Sequence, residues 1–104
     1  MARSGSLVIL STATESDELD LSPQSVRRIV NVSIGAPAAL TGTITIQLKI
    51  NGSWYTHQSG GADITLGVDK SLTLDKITAT SLRMKSSGAE GGDRTFNYEW
   101  AAAS

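Results

Sequence analysis

Residues Thr41 to Gln58 constrain the fold of this 104-residue chain more than any other stretch. Ile44, Ile46, Leu48 and Ile50 alternate with Thr43, Thr45, Gln47 and Lys49. Successive side chains leave a strand on opposite sides, so strict alternation marks a strand with one buried face. Asn51-Gly52 follows, then Trp54-Tyr55-Thr56-His57. A type I′ turn needs positive φ at both central residues, which Asn-Gly tolerates, so two such runs joined by Asn-Gly predict a tight antiparallel hairpin. The apolar set Ile44, Ile46, Leu48 and Ile50 is the expected core of that hairpin.

The flanking sequence carries the same kind of pattern. Leu7–Leu10 reads as a short strand, apolar on both faces, and so covered on both sides or lying at a subunit contact. Leu19 and Leu21 alternate with Asp20 in a short extended piece, and Ser22-Pro23 opens a turn or one helical turn, with Ser22 as cap. The stretch 25–34 places Val30, Val32 and Ile34 on one face, with Arg27-Arg28 at its start. Further strands are expected at Asp63–Val68, Ser71–Leu74, Lys76–Ser86 and Arg94–Ala101, the last with Phe96, Tyr98 and Trp100 on one face. A short arm (1–6) and a tail (101–104) flank them. About 7–8 short strands with regular turn signals and no convincing helix indicate one all-β domain, an antiparallel two-sheet sandwich spanning 1–104. Jelly-roll-like and immunoglobulin-like connections both fit.

Composition narrows function. No cysteine is present, which removes disulfides, thiolate metal sites and cysteine nucleophiles. Net charge is −1, and the charged fraction of 18% is low, with serine and threonine filling the polar positions. Nothing in that balance favours a nucleic acid. No apolar run approaches the ~20 residues of a membrane helix, and Leu7–Leu10 is too short for a signal-peptide core. The expectation is a soluble chain made in a cytoplasm. No Gly-x-Ser-x-Gly elbow or phosphate loop occurs, and the single histidine, His57, is too few for zinc without cysteine. No cofactor or metal is expected, and an enzyme is not.

Three features remain as candidate sites. Trp54, Tyr55 and His57 cluster beside the hairpin turn, Tyr55 and His57 on one face and Trp54 on the other. They suit a partner contact or a stacking platform for a sugar ring; the plainer reading places one face in the core and the other at the surface. Glu15, Asp17, Glu18 and Asp20 form an acidic segment without EF-hand spacing, so it reads as a solvated loop or a complement to a neighbour's basic patch. Arg83 and Lys85 would approach Glu99 or Asp93 if the 76–86 strand paired with the last strand across the glycine-rich loop Ser87–Asp93.

The run Leu82-Arg83-Met84-Lys85-Ser86-Ser87-Gly88-Ala89-Glu90-Gly91-Gly92-Asp93-Arg94-Thr95-Phe96 resembles the endings of small all-β virion structural proteins of tailed bacteriophages. The segment from Ile50 to Asp75 is similar to them too, a hairpin followed by short strands with hydroxyl-rich outer faces. The resemblance implies a capsid decoration or cement protein, or another head or tail accessory subunit. It implies the major capsid protein or other virion proteins as partners, a homo-oligomer, and a place in the virion, with no nucleic acid or membrane contact. The alternative it leaves is a tail, head-fibre or receptor-binding module that takes carbohydrate. No residue role carries over from it.

Overall fold

The computed structural model describes residues 3–21 and 29–102. The Ser22-Pro23 turn, Arg27, Arg28 and the extreme ends of the arm and tail lie outside the described residues. Among the described residues there are eleven strands: β1 (Arg3–Ile9), β2 (Leu19–Asp20), β3 (Val30–Gly35), β4 (Ile44–Ile50), β5 (Ser53–Thr56), β6 (Gln58–Ser59), β7 (Ala62–Asp63), β8 (Thr65–Leu66), β9 (Ser71–Ile77), β10 (Ser81–Ser86) and β11 (Arg94–Ala102).

They form two antiparallel sheets and a small ribbon. One sheet has the order β1-β11-β3-β9, and the other runs β2-β10-β4-β5, with β8 also on β4. The ribbon is β6-β7, turned at Gly60-Gly61 with φ of 63° and 85°. The chain crosses between the sheets repeatedly: β1, β3, β9 and β11 lie in the first, and β2, β4, β5 and β10 in the second. That alternation winds the chain as a jelly roll, which decides between the two sandwich connections open to the sequence.

The central hairpin forms as expected. Asn51 and Gly52 take φ of 51° and 84°, and Leu48 faces Tyr55 across the ladder. β4 sits between β10 on one side and β5 and β8 on the other. Ile44, Ile46 and Leu48 are buried with Leu82, Met84, Val32, Ile34, Phe96 and Trp100 between the sheets. Ile50 departs from the expectation and is 51% exposed. Its ladder partner is Ser53 on β5, while β10 begins opposite Lys49, so the hairpin outruns its neighbour.

Other boundaries differ for physical reasons. The 76–86 stretch is two strands, β9 and β10, because the chain passes from one sheet to the other at residues 78–80. Residues 63–68 divide likewise between β7 and β8. Ser4 and Ser6 of the expected arm pair with Glu99 and Asn97 of β11, so this end is a strand rather than an arm, and Ala101 pairs with Asn31 rather than trailing as a tail. Leu7 and Ile9 of β1 are buried, Val8 on its other side is half-buried, and Leu10, just past the strand, is 60% exposed.

β9 carries a bulge, since Val30 faces Ile77 and Val32 faces Leu74 while Asp75 and Lys76 share the interval. Lys76 adopts φ of 57°, and its amide donates to the Asn31 side-chain oxygen at 2.9 Å. An L-residue with a β-carbon in this left-handed region is strained by roughly 1–2 kcal/mol. Glycine removes the strain but adds freedom to the unfolded chain. Lys76→Gly is therefore expected to stabilise the domain by about 0.5–1 kcal/mol, read as a higher denaturation midpoint with unchanged slope.

Candidate interaction surface

The hairpin puts the three candidate residues on two different surfaces. Trp54 faces Lys49 in the ladder and stands on the outer side of its sheet. The Arg83 guanidinium lies 4.3 Å from the centre of the Trp54 ring, and the Lys49 ammonium 5.7 Å. Arg83 Nε donates to Gln47 Oε1 at 2.7 Å, and its Nη2 donates to Glu15 Oε2 at 3.1 Å. Lys85 Nζ reaches the same Glu15 oxygen at 3.1 Å, and Lys49 stands 3.9 Å from Glu18. A face of Trp54 is thus occupied by the chain's own cation. Such a stack contributes about 0.5–1 kcal/mol at an exposed site, and exposed ion pairs like those of Glu15 and Glu18 contribute about 0–1 kcal/mol each.

Tyr55 is on the opposite side, the same side as Leu48, and remains 55% exposed. With Ile50 it forms an apolar end to the hairpin that the facing sheet leaves uncovered. His57 is half-buried, and its backbone does the structural work: the amide donates to the Ile46 carbonyl at 2.8 Å, and its own carbonyl accepts from Ile64 N–H at 3.1 Å. Tyr55 and Trp54 lie on opposite sides of β5 as expected, and His57 follows the end of that strand.

The acidic segment is a structural strip rather than a free loop. It runs along the open edge of β10: Ser86 N–H donates to the Thr14 carbonyl, Ser16 N–H to the Met84 carbonyl, and Met84 N–H to Ser16 Oγ, at 2.7, 3.0 and 2.9 Å. Asp17 accepts from the Val8 amide at 2.8 Å. The basic complement of this segment is within the same chain, at Arg83, Lys85 and Lys49. Arg83 and Lys85 do not approach Glu99 or Asp93, because β10 pairs with β4 and β2 while β11 belongs to the other sheet. Among the described residues no three His, Cys, Asp or Glu side chains are placed to hold a metal ion, and no helix is long and apolar enough to cross a membrane.

The residue with the most perturbed chemistry is one the sequence did not mark. Glu90, in the glycine-rich loop, has a fully buried side chain. Oε1 accepts from Thr41 N–H at 2.8 Å and from Arg94 Nε at 2.9 Å. Oε2 accepts from Gly42 N–H at 2.9 Å and from the Ser86 hydroxyl at 2.6 Å. Burial pushes its pKa up, but the hydrogen bonds from Ser86, Arg94, Thr41 and Gly42 outweigh burial and hold it at about 2, against an ordinary 4.5. Four donors on one carboxylate fill its lone-pair positions, which is how a buried charge is tolerated. The faint sequence signal was a carboxylate four residues before an arginine, Glu90 and Arg94.

No protein-family model matches the chain, and no curated protein matches it. Solved structures of distant sequence share its fold. The SPBc2 prophage-derived protein YomS superposes with a TM-score of 0.58 at 13% identity, over 95% of this chain and 93% of that one. A chain from the disulfide-linked pili of Bacillus endospore appendages gives 0.52 at 12% identity, over 99% and 88%. The cupin domain of an XRE-family transcriptional regulator from Enterobacter cloacae gives 0.51 at 13% identity, over 99% and 83%. At such identities the likeness establishes the architecture, a small all-β roll of two sheets.

Proposed function

We propose that this chain is a non-enzymatic structural subunit of a bacteriophage virion, a capsid decoration or cement protein that docks on the major capsid protein. The observation that carries the reading is the uncovered apolar end of the hairpin, where Ile50 and Tyr55 are 51% and 55% exposed. An aromatic and an aliphatic side chain on a rigid hairpin supply contact area at little entropic cost, which is what interface anchors require. The resemblance of residues 50–75 and 82–96 to phage virion proteins supports the setting, and a prophage-derived protein has the same fold. A cement subunit binds the assembled shell in preference to its parts, so mass action stabilises the shell, and symmetry repeats each weak contact.

The test is co-sedimentation of the purified chain with undecorated shells of its own virion. Binding is expected, and Ile50→Ser with Tyr55→Ala is expected to weaken it by about tenfold or more while the isolated domain keeps its melting temperature. Shells that pellet without the protein defeat the reading.

A carbohydrate-binding tail or head-fibre module is the second reading, and exposed Tyr55 is what favours it. Trp54 is less available, since Arg83 already lies over its ring. A glycan-array signal lost in Tyr55→Ala and kept in Trp54→Ala would support that module, and array silence counts against it.

A further inference from the structure

We infer that Glu90 is an acid-released latch that fastens one end of the roll and, when protonated, lets that end open while the sheets stay paired. The inference holds whatever surface the subunit docks on. Its basis is where the partners of Glu90 lie. Thr41 and Gly42 precede β4, Ser86 is the last residue of β10, and Arg94 is the first of β11. The backbone of Glu90 reaches a third connection: its carbonyl accepts from Thr12 N–H at 2.9 Å and its amide donates to the Ala13 carbonyl at 3.3 Å. One residue therefore ties together the three connections that follow β1, β3 and β10, and it joins no ladder of either sheet. Releasing it breaks no strand pairing.

The end is built to close tightly on this residue. A β-carbon at Gly42 would stand 2.9 Å from Ser87 Oγ and 3.1 Å from the Gly88 nitrogen, so the β10–β11 loop packs directly on the Gly42 backbone. Thr41 Oγ1 accepts from Gly91 N–H at 3.3 Å and from Arg94 Nη2 at 3.2 Å. Both contacts depend on the position that Glu90 gives Thr41.

Among the described residues the charged groups facing the latch are few, and the connection after β1 brings no ionisable residue between Leu10 and Thr14. Arg94 from β11 is the cation on the carboxylate, and Asp93 beside it is engaged with the Ser11 amide at 2.7 Å. The connection after β3 brings no ionisable residue between Ala36 and Thr43, and Lys85 of β10 turns to Glu15 on the outer face. Glu90 is held at about 2 in the folded chain against 4.5, so its contribution is complete above about pH 4.5 and is lost as pH falls through 2. Protonation removes an acceptor from one oxygen and the charge that holds Arg94.

Amide hydrogen exchange on the intact chain, corrected at each pH for intrinsic rate, tests the latch. Protection at Thr41 and Gly42 is expected to fall by about tenfold or more between pH 6 and pH 2, while the β4–β10 ladder amides keep theirs, a tenfold change being one pKa unit of linkage. Glu90→Gln is expected to show the low protection already at pH 6 and to lose the pH dependence. The inference is overturned if Thr41 and Gly42 lose protection only in step with the ladder, or keep it down to pH 2. Should Glu90→Gln not fold, the titration of the unaltered chain decides by the same two outcomes.

Discussion

Ile46→Asp is expected to abolish folding. Ile46 is fully buried at the middle of β4, with Met84 opposite it in the ladder. Removing its side chain forfeits about 1.5–3 kcal/mol of apolar burial, and among the described residues the carboxylate that replaces it has no cation within the sheet interface. An unpaired buried charge costs several kcal/mol more. The sum reaches the roughly 5–15 kcal/mol that holds a domain together. The neighbouring outer position supplies the control. Thr45 faces Lys85 across the ladder and is half-buried on the opposite side, so Thr45→Asp should change stability by no more than about 1 kcal/mol. Circular dichroism and a thermal melt of the two variants check the prediction. A cooperative melt for Ile46→Asp at near-native temperature would refute the register.

That contrast also shows why the hairpin was legible in the sequence. Period-two alternation and an Asn-Gly turn are local, and they specify strand, face and register without reference to the rest of the chain. β3 and β11 were legible for the same reason, Val30, Val32 and Ile34 on one and Phe96, Tyr98 and Trp100 on the other. Ser4, Gly5 and Ser6 have no apolar signal, and they become a strand because β11 offers them an unpaired edge. Tyr98 lies across Gly5, where a β-carbon would stand 2.6 Å from its hydroxyl oxygen, so Gly5 serves a partner 93 residues away in sequence. Ile50 failed as a core residue because alternation reports which side a residue faces, and coverage of that side depends on where the other strands end. The surface was less legible than the core. Trp54 was visible as a candidate contact residue, but its stacking partner Arg83 arrives from β10, and only the assembled sheet brings the two together.

Glu90 is the furthest from what local pattern can reveal, and its removal should be the second most damaging change. A glycine-rich loop reads as mobile and polar, and its glutamate as solvated. Instead the side chain gathers Thr41, Gly42, Ser86 and Arg94, the first two from almost half the chain away. Deleting the carboxylate leaves two backbone amides, a hydroxyl and a guanidinium without their acceptor. Each buried donor left unsatisfied costs about 1–3 kcal/mol, and a loss of roughly 3–5 kcal/mol is expected for Glu90→Ala in denaturant at pH 7. The partner should behave differently. Arg94→Ala removes one donor of four and leaves the carboxylate with Thr41, Gly42 and Ser86, and Arg94 is itself 18% exposed, so the expected loss is nearer about 1–2 kcal/mol. The double variant should cost less than the sum, since once Glu90 is gone Arg94 has lost its buried partner. Equal losses for the two single variants would mean that Glu90 matters only as half of an ion pair. A larger loss for Glu90, with a coupling of about 1 kcal/mol or more between the two, would identify the carboxylate as the node on which this end of the roll is closed.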